Sequence, residues 1–204
     1  MSQPQNPPAI LSTPSSSAPQ PPEYSAEERA LLLRLAHQSI EAALDNRNLD
    51  LQSPSPHLDE ERGAFTTLYV GGQLHGCVGY VFPVASLYRT IAETARAAAF
   101  EDPRFPTLSK VDLAALKVDI SVLSRLFAIK PEEVEIGPHG LLISMGYRRG
   151  LLLPQVPVEH GWDRITFLQQ TCQKAGLPPD AWQSGAKLEA FTAEVFGEDE
   201  SLPR

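Results

Sequence analysis

Ala64-Phe65-Thr66-Thr67-Leu68-Tyr69-Val70, then Gly71-Gly72, then Gln73 to Phe82 is the stretch that decides the fold class. The first run is rich in β-branched and aromatic residues, the paired glycines offer the positive φ angles of a tight turn, and the second run resumes the extended pattern. This is a β-hairpin. C-terminal to it, Tyr88, Ile91, Ala92, Ala95, Ala98 and Ala99 recur at helical spacing, and their small side chains let such a helix lie close against a sheet. Asp102-Pro103 stops that helix, because the residue before proline is pushed out of helical geometry. Ser109 to Asp112 predicts a short capped helix. Val118, Ile120 and Val122 alternate with Asp119, Ser121 and Leu123, as a half-buried strand should.

A second hairpin is predicted where Leu141 to Met145 and Leu151 to Leu153 flank Gly146 to Gly150, with Pro154 ending the ladder. Asp163 caps a last helix that turns Ile165, Leu168, Cys172 and Ala175 inward, with Lys174 in its final turn and Gly176 just beyond. Leu188 to Phe196 reads as one closing strand. Toward the N-terminus, Ser25-Ala26-Glu27-Glu28 fits a capping box that opens a helix with Leu32, Leu35, Ala36, Ser39 and Ala43 on one stripe. Asp45 to Asn48 breaks that pattern, and residues 49–63, with Pro54 and Pro56, read as loop. Hairpins mixed with helices in this irregular order predict an α+β fold with a mainly antiparallel sheet and flanking helices.

Residues 1–22 carry no charge and hold seven of the 19 prolines together with five serines, a composition that cannot bury enough apolar surface to offset its ordering entropy. They read as a disordered Pro/Ser-rich tail, residues 23–197 as the folded domain, and residues 198–204 as a flexible C-terminal tail. Over 204 residues, 17 Lys+Arg against 25 Asp+Glu give a net charge of -8, the wrong sign for neutralising phosphates, so nucleic acid is not an expected partner. Neither a signal peptide nor an apolar run long enough to span a bilayer is read from the sequence, and a membrane is not an expected partner either. Cys77 and Cys172 stand alone without CxxC or His-rich ligand spacing, so no metal site is expected. Their number alone allows a disulfide between them; two thiols in a chain with no export signal read more simply as reduced, in a cytoplasmic protein.

Reactive residue types gather in Leu74-His75-Gly76-Cys77-Val78-Gly79. In a regular strand His75 and Cys77 share a face, with Cα atoms about 6.5 to 7 Å apart, so thiol and imidazole would be neighbours. A protonated His75 would favour the Cys77 thiolate, and Gly76 and Gly79 would leave backbone open to close approach. The bland alternative is a buried cysteine beside glycines that mark a bulge or bend. Asp102-Pro103-Arg104-Phe105-Pro106 is a rigid loop in which Arg104 could meet an anion bidentately or simply bond Asp102 and backbone carbonyls. His139 lies in the turn Gly137-Pro138-His139-Gly140 and is a further binding candidate, although an exposed imidazole in a turn needs no function.

Five separated blocks resemble one family when taken together: LHGCVG at 74–79, DPRFP at 102–106, IGPHGLLI at 136–143, RGLLLPQV at 149–156, and HGWD at 160–163 followed by FLQQTCQKAGL at 167–177. They occur in the order found in the AMMECR domain family and cover about residues 25–197. The resemblance implies an α+β fold of one larger and one smaller subdomain, in a family whose biochemical activity is not established, and the cofactor is unknown. The family's hallmark hexapeptide carries arginine and isoleucine where this chain has His75 and Val78, so Leu74, Gly76, Cys77 and Gly79 carry over. An always charged guanidinium is thus replaced by an imidazole, which would make any anion binding or thiol activation there pH-dependent.

Prokaryotic relatives are often associated with a Memo-like protein and a radical-SAM enzyme, which the resemblance offers as partners. This chain has no CxxxCxxC and is not the radical enzyme. Two readings follow: an accessory or binding module whose glycine-rich strand is a docking surface, and a cysteine-dependent enzyme. In the second, Cys77 is nucleophile or acid/base, His75 tunes it, Arg104 orients a small anionic substrate, and Gly76, Gly79, Asp102 and His139 border the site.

Overall fold

A computed structural model describes residues 22–198; the Pro/Ser-rich stretch up to residue 21 and the C-terminal residues from 199 lie outside the described part. Helix α1 (Ala26–Leu44) starts at the expected capping box: Glu28 N donates to Ser25 Oγ at 3.2 Å, and Ser25 N donates to the Glu28 carboxylate at 2.9 Å. Strands β1 (Ala64–Val70) and β2 (Gln73–Tyr80) form the hairpin around Gly71 and Gly72, whose φ angles are 58° and 79°. Helix α2 (Leu87–Phe100) follows; in place of the short capped helix expected at Ser109–Asp112 there is a single 3-10 turn over Asp112–Ala115. Asp112 accepts from both the backbone N and the hydroxyl of Ser109 there.

Strand β3 (Leu116–Leu123) pairs with β1 on the side away from β2. A two-residue strand β4 (Phe127–Ala128), then β5 (Gly140–Met145) and β6 (Arg148–Leu152), precede a short helix α3 (Gln155–Glu159) that the hydrophobic pattern did not predict. Helix α4 (Arg164–Lys174) is capped by Asp163, which accepts from Thr166 N at 2.8 Å. Its inward residues include Phe167, whereas Ile165, expected inward, is exposed. The reason is phase: Phe167, Leu168, Thr171 and Cys172 define the buried stripe, and Ile165 falls outside it.

The expected closing strand is two strands, β7 (Lys187–Phe191) and β8 (Ala193–Gly197), broken at Thr192. Thr192 N donates to Ser124 Oγ and its carbonyl accepts from Ser124 N, both at 2.9 Å, so the chain is pinned where it passes from one sheet to the other. Two antiparallel four-stranded sheets result, ordered β2-β1-β3-β8 and β4-β7-β5-β6. The fold is α+β, as the order of elements predicts. The larger subdomain buries Leu32, Leu35, Ile40, Leu68, Ile91 and Ile120 among others between α1, α2 and the first sheet; the smaller buries Leu141, Phe167, Leu168 and Ala190 between α4 and the second.

Close packing of α2 on the first sheet depends on Gly76. A Cβ there would lie 2.1 Å from the Ala98 carbonyl oxygen, and Ala95, Ala98 and Ala99 are buried along the same contact. The polar atoms caught in that interface are satisfied. Thr66 and Thr94 hydroxyls sit 2.7 Å apart, and Thr94 donates to the Thr90 carbonyl at 2.8 Å. The face that carries Phe65, Thr67 and Tyr69 looks the other way, toward the segment that joins β6 to α3.

Candidate functional site

A β-bulge decides which way Cys77 points. Counted straight from the Gly71-Gly72 turn, Val70 faces Gln73 and Tyr69 faces Leu74, so Cys77 would fall opposite Thr66 on the α2 side. The register instead slips by one residue between Leu68 and Tyr69: Leu68 pairs with Gly76, and Thr67 pairs with Cys77. A one-residue slip transfers every later side chain to the other face. His75 is the extra residue. Beyond it Gly76 faces Ala98 of α2 and Cys77 faces away, with Thr67 Oγ1 donating to Cys77 Sγ at 3.3 Å.

The slip also undoes the simple alternation that would set His75 beside Cys77. The His75 ring lies over Phe105 with centroids 6.4 Å apart, and its Nε2 is buried without a hydrogen-bond partner. Electrostatically it is felt by Asp112, whose carboxyl is lowered first by the Ser109 hydrogen bonds and last by the His75 charge.

Asp102 and Arg104 close the outer edge of β2 at Cys77. Asp102 Oδ2 accepts from Cys77 N at 2.9 Å, and Arg104 Nη2 donates to the Cys77 carbonyl at 3.1 Å. The two side chains are joined to one another by Arg104 Nη2 to Oδ2 at 2.7 Å and Nε to Oδ1 at 2.9 Å. Together they give the edge residue the donor and acceptor that another strand would supply. The Arg104 guanidinium, with the Cys77 and Arg104 backbone N–H groups adding to it, holds the Asp102 carboxyl well below the usual carboxylate range, and Asp102 raises Arg104 in return. The Asp102 side chain is 3% exposed and that of Arg104 is 59% exposed, so the carboxylate is the buried member of the clamp.

Cys77 lines a cleft of about 610 Å³ between the open face of the first sheet and the β6–α3 segment. Its floor is built in cross-strand rows: Cys77, Thr67 and Asp119 in one, then Phe65, Ser121 and Val195 in the next. Gly197 faces Asp119 across β8, and a Cβ there would strike the Asp119 carboxylate, so the glycine gives that side chain its room. Pro154, Gln155, Val158 and Glu159 form the roof, with Gly137 and Pro138 at one side. Asp119 is 4% exposed despite alternating with the Val118–Ile120–Val122 core stripe, because the smaller subdomain covers the face that a half-buried strand would leave to water.

Of the residues singled out from sequence, the cleft takes in Cys77 alone. His75, Asp102 and Arg104 gather at the β2 edge, outside the cleft lining. Gly79 abuts the Phe65 ring, which a Cβ would meet at 2.4 Å. His139 is one residue beyond the lining Pro138; its Nδ1 accepts from Glu135 N at 3.0 Å and its ring stands edge-on to Phe127. Sequence reasoning missed Thr67, Asp119, Ser121 and Glu159. The alternation of β1 and β3 already placed Thr67, Asp119 and Ser121 on one face, but nothing in it said that a second subdomain would close over that face.

The AMMECR1 family model matches residues 33–196. This chain belongs to the AMMECR1 family. A Methanosarcina mazei protein is 44% identical over 152 residues, covering 72% of this chain and 76% of that protein. A Methanopyrus kandleri protein is 42% identical over 190 residues, covering 87% and 92%. The crystal structure of the uncharacterised protein PH0010 from Pyrococcus horikoshii superposes with a TM-score of 0.64 at 39% identity, covering 83% of this chain and 90% of that one. The α+β architecture of this AMMECR1 chain is therefore shared with a solved structure. Cys77 and Cys172 are both free thiols; burial pushes Cys172 up, against the pull of the Trp182 and Ala181 backbone. Among the described residues there is no cluster of His, Cys, Asp or Glu able to hold a metal ion, and no helix long and apolar enough to cross a membrane.

Proposed function

We propose that this AMMECR1 protein acts as an accessory module that binds through the cleft between the open face of its first sheet and the β6–α3 segment. The observation that carries the reading is the cleft itself: about 610 Å³, within the usual range for a small-molecule site, walled by aromatic and aliphatic groups with a few convergent polar ones. The edge clamp adds to it. Asp102 and Arg104 spend their hydrogen bonds on the Cys77 backbone and on each other, which fixes the strand that presents the thiol and leaves the glycines to packing rather than docking. The Memo-like protein and the radical-SAM enzyme implied by the family resemblance are the partners to test, and two free thiols suit a cytoplasmic setting.

A second reading, cysteine-dependent chemistry, is favoured by one feature: the Cys77 sulfur faces the cleft and accepts from Thr67 Oγ1. Capture of the Memo-like and radical-SAM proteins by the full chain separates the two. On the binding reading, capture survives Cys77→Ser and is lost with Val195→Trp, which fills the cleft from an edge strand where Val195 is 38% exposed. Capture lost with Cys77→Ser and retained with Val195→Trp rejects the binding reading. Alkylation of native protein titrated against pH tests the thiol chemistry; a Cys77 that reacts no faster than free cysteine removes nucleophilic catalysis.

A further inference from the structure

The cleft has a sign. Its two ionisable carboxylates are Asp119, on the floor, and Glu159, on the roof, and no Lys, Arg or His side chain is among its described lining residues. Arg104, the cation that the sequence offers to an anionic substrate, is held at the β2 edge by Asp102 and the Cys77 carbonyl. The hydrogen-bonding inventory leans the same way. Ionised carboxylates only accept, the Thr67 hydroxyl donates to Cys77 Sγ, the Ser121 hydroxyl does either, and the Gln155 amide both donates and accepts. An anion entering this space would meet two carboxylates and few donors. A cation would meet acceptors.

The floor also separates apolar from polar. Phe65, Leu123, Ala193 and Val195 make one end apolar, and the Cys77–Thr67–Asp119 row makes the other polar. Phe65 and Tyr69 flank Thr67 on the same face of β1, so a positive charge over that row lies near two aromatic rings as well as a carboxylate. We infer that the cleft binds a small organic cation, an apolar body ending in an ammonium group, with the body along Phe65 and Val195 and the ammonium at Asp119. The inference rests on the cleft-binding reading and gives the ligand class that reading leaves open.

Three isosteric probes test it: 4-phenylbutylamine, 4-phenylbutanol and 4-phenylbutyrate, each measured by calorimetry and by protection of Cys77 from iodoacetamide. The amine is expected to bind at least about tenfold more tightly than the other two, a difference that shrinks as salt is raised. Asp119→Asn removes the preference while leaving 4-phenylbutanol binding in place. Should that variant fail to fold, Glu159→Gln on the exposed turn of α3 serves, with the amine weakened severalfold and the alcohol unchanged. Equal binding of all three, or tighter binding of the carboxylate, overturns the ammonium assignment and leaves a cleft that binds. No binding and no protection by any of the three overturns both.

Discussion

The two faces of the first sheet are built from the same strands and could hardly be used more differently. Toward α2 the residues are Ala64, Thr66 and Leu68 of β1, all at 0% exposure, with Gly76 of β2 pressed onto the Ala98 backbone. Away from α2 they are Phe65, Thr67, Tyr69 and Cys77, around open space of about 610 Å³. One face is a jigsaw in which a single methyl group has nowhere to go, and the other tolerates side chains of mixed polarity because nothing fills it. The lesson is that Gly76 and Cys77, neighbours in one hexapeptide, do opposite jobs, sorted by the bulge at His75. Substitutions on the two faces should therefore separate by size of effect.

Gly76→Ala should have the largest effect. Its new Cβ would sit 2.1 Å from the Ala98 carbonyl oxygen in the last turn of α2, so either α2 or β2 must move. Overpacking of this kind costs about 3 kcal/mol or more, and chemical denaturation should show it as a large drop in midpoint. A loss under about 1 kcal/mol would mean that α2 is free to shift and that the helix face is not the tight one.

Cys172→Ser comes next. Cys172 is 0% exposed, sealed in α4 against Ile143, Leu177 and Ala181, where a serine hydroxyl has to be buried. The cost should be about 2 kcal/mol. Burial also raises this thiol, so in native protein at mildly alkaline pH alkylation should stop at one equivalent, on Cys77, and reach two only on unfolding.

Asp102→Asn should cost less, about 1 kcal/mol at neutral pH, because the charge it removes faces a largely exposed Arg104 while an amide oxygen can still accept from Cys77 N. The sign with pH is set by the lowered Asp102 carboxyl. A group depressed in the folded state stabilises above its unfolded value, near about 3.9, and that contribution is lost as pH falls through the folded value. Wild type and variant should thus differ by a constant amount from neutral down to about pH 5 and converge only in strong acid. A difference that widens in acid would contradict the clamp.

How much of this was legible in the sequence follows from the range of each signal. The capping box at Ser25–Glu28, the Gly71-Gly72 hairpin and the alanine stripe of α2 are local, and the structure has them where periodicity and turn chemistry put them. The break at Thr192 was not legible, because residues 187–197 are continuously strand-like and only the reciprocal bonds to Ser124, 68 positions away, divide them between two sheets. The orientation of His75 relative to Cys77 was hidden for a related reason. Period-two alternation assumes one residue per step, and a bulge adds one without marking itself in residue type beyond a neighbouring glycine. For the cleft, sequence yielded Cys77 but not Asp119 or Ser121, since whether an alternating strand faces water or a second subdomain is a matter of tertiary packing.

Cys77→Ser should have the smallest effect on stability, within about 0.5 kcal/mol, although it lies one residue from Gly76. The sulfur is in contact with the cleft, so serine buries no unsatisfied hydroxyl: its oxygen can bond Thr67 Oγ1, as the thiol does, or water in the cleft. The backbone at 77 is gripped by Asp102 and Arg104 regardless of side chain, so the strand edge should be undisturbed. Comparison with Cys172→Ser under the same conditions makes the measurement sharp, because the chemical change is identical and only the surroundings differ. If Cys77→Ser cost as much as Cys172→Ser, the sulfur would be acting as core packing, and the open face would have to be reassigned to the interior along with the binding role drawn from it.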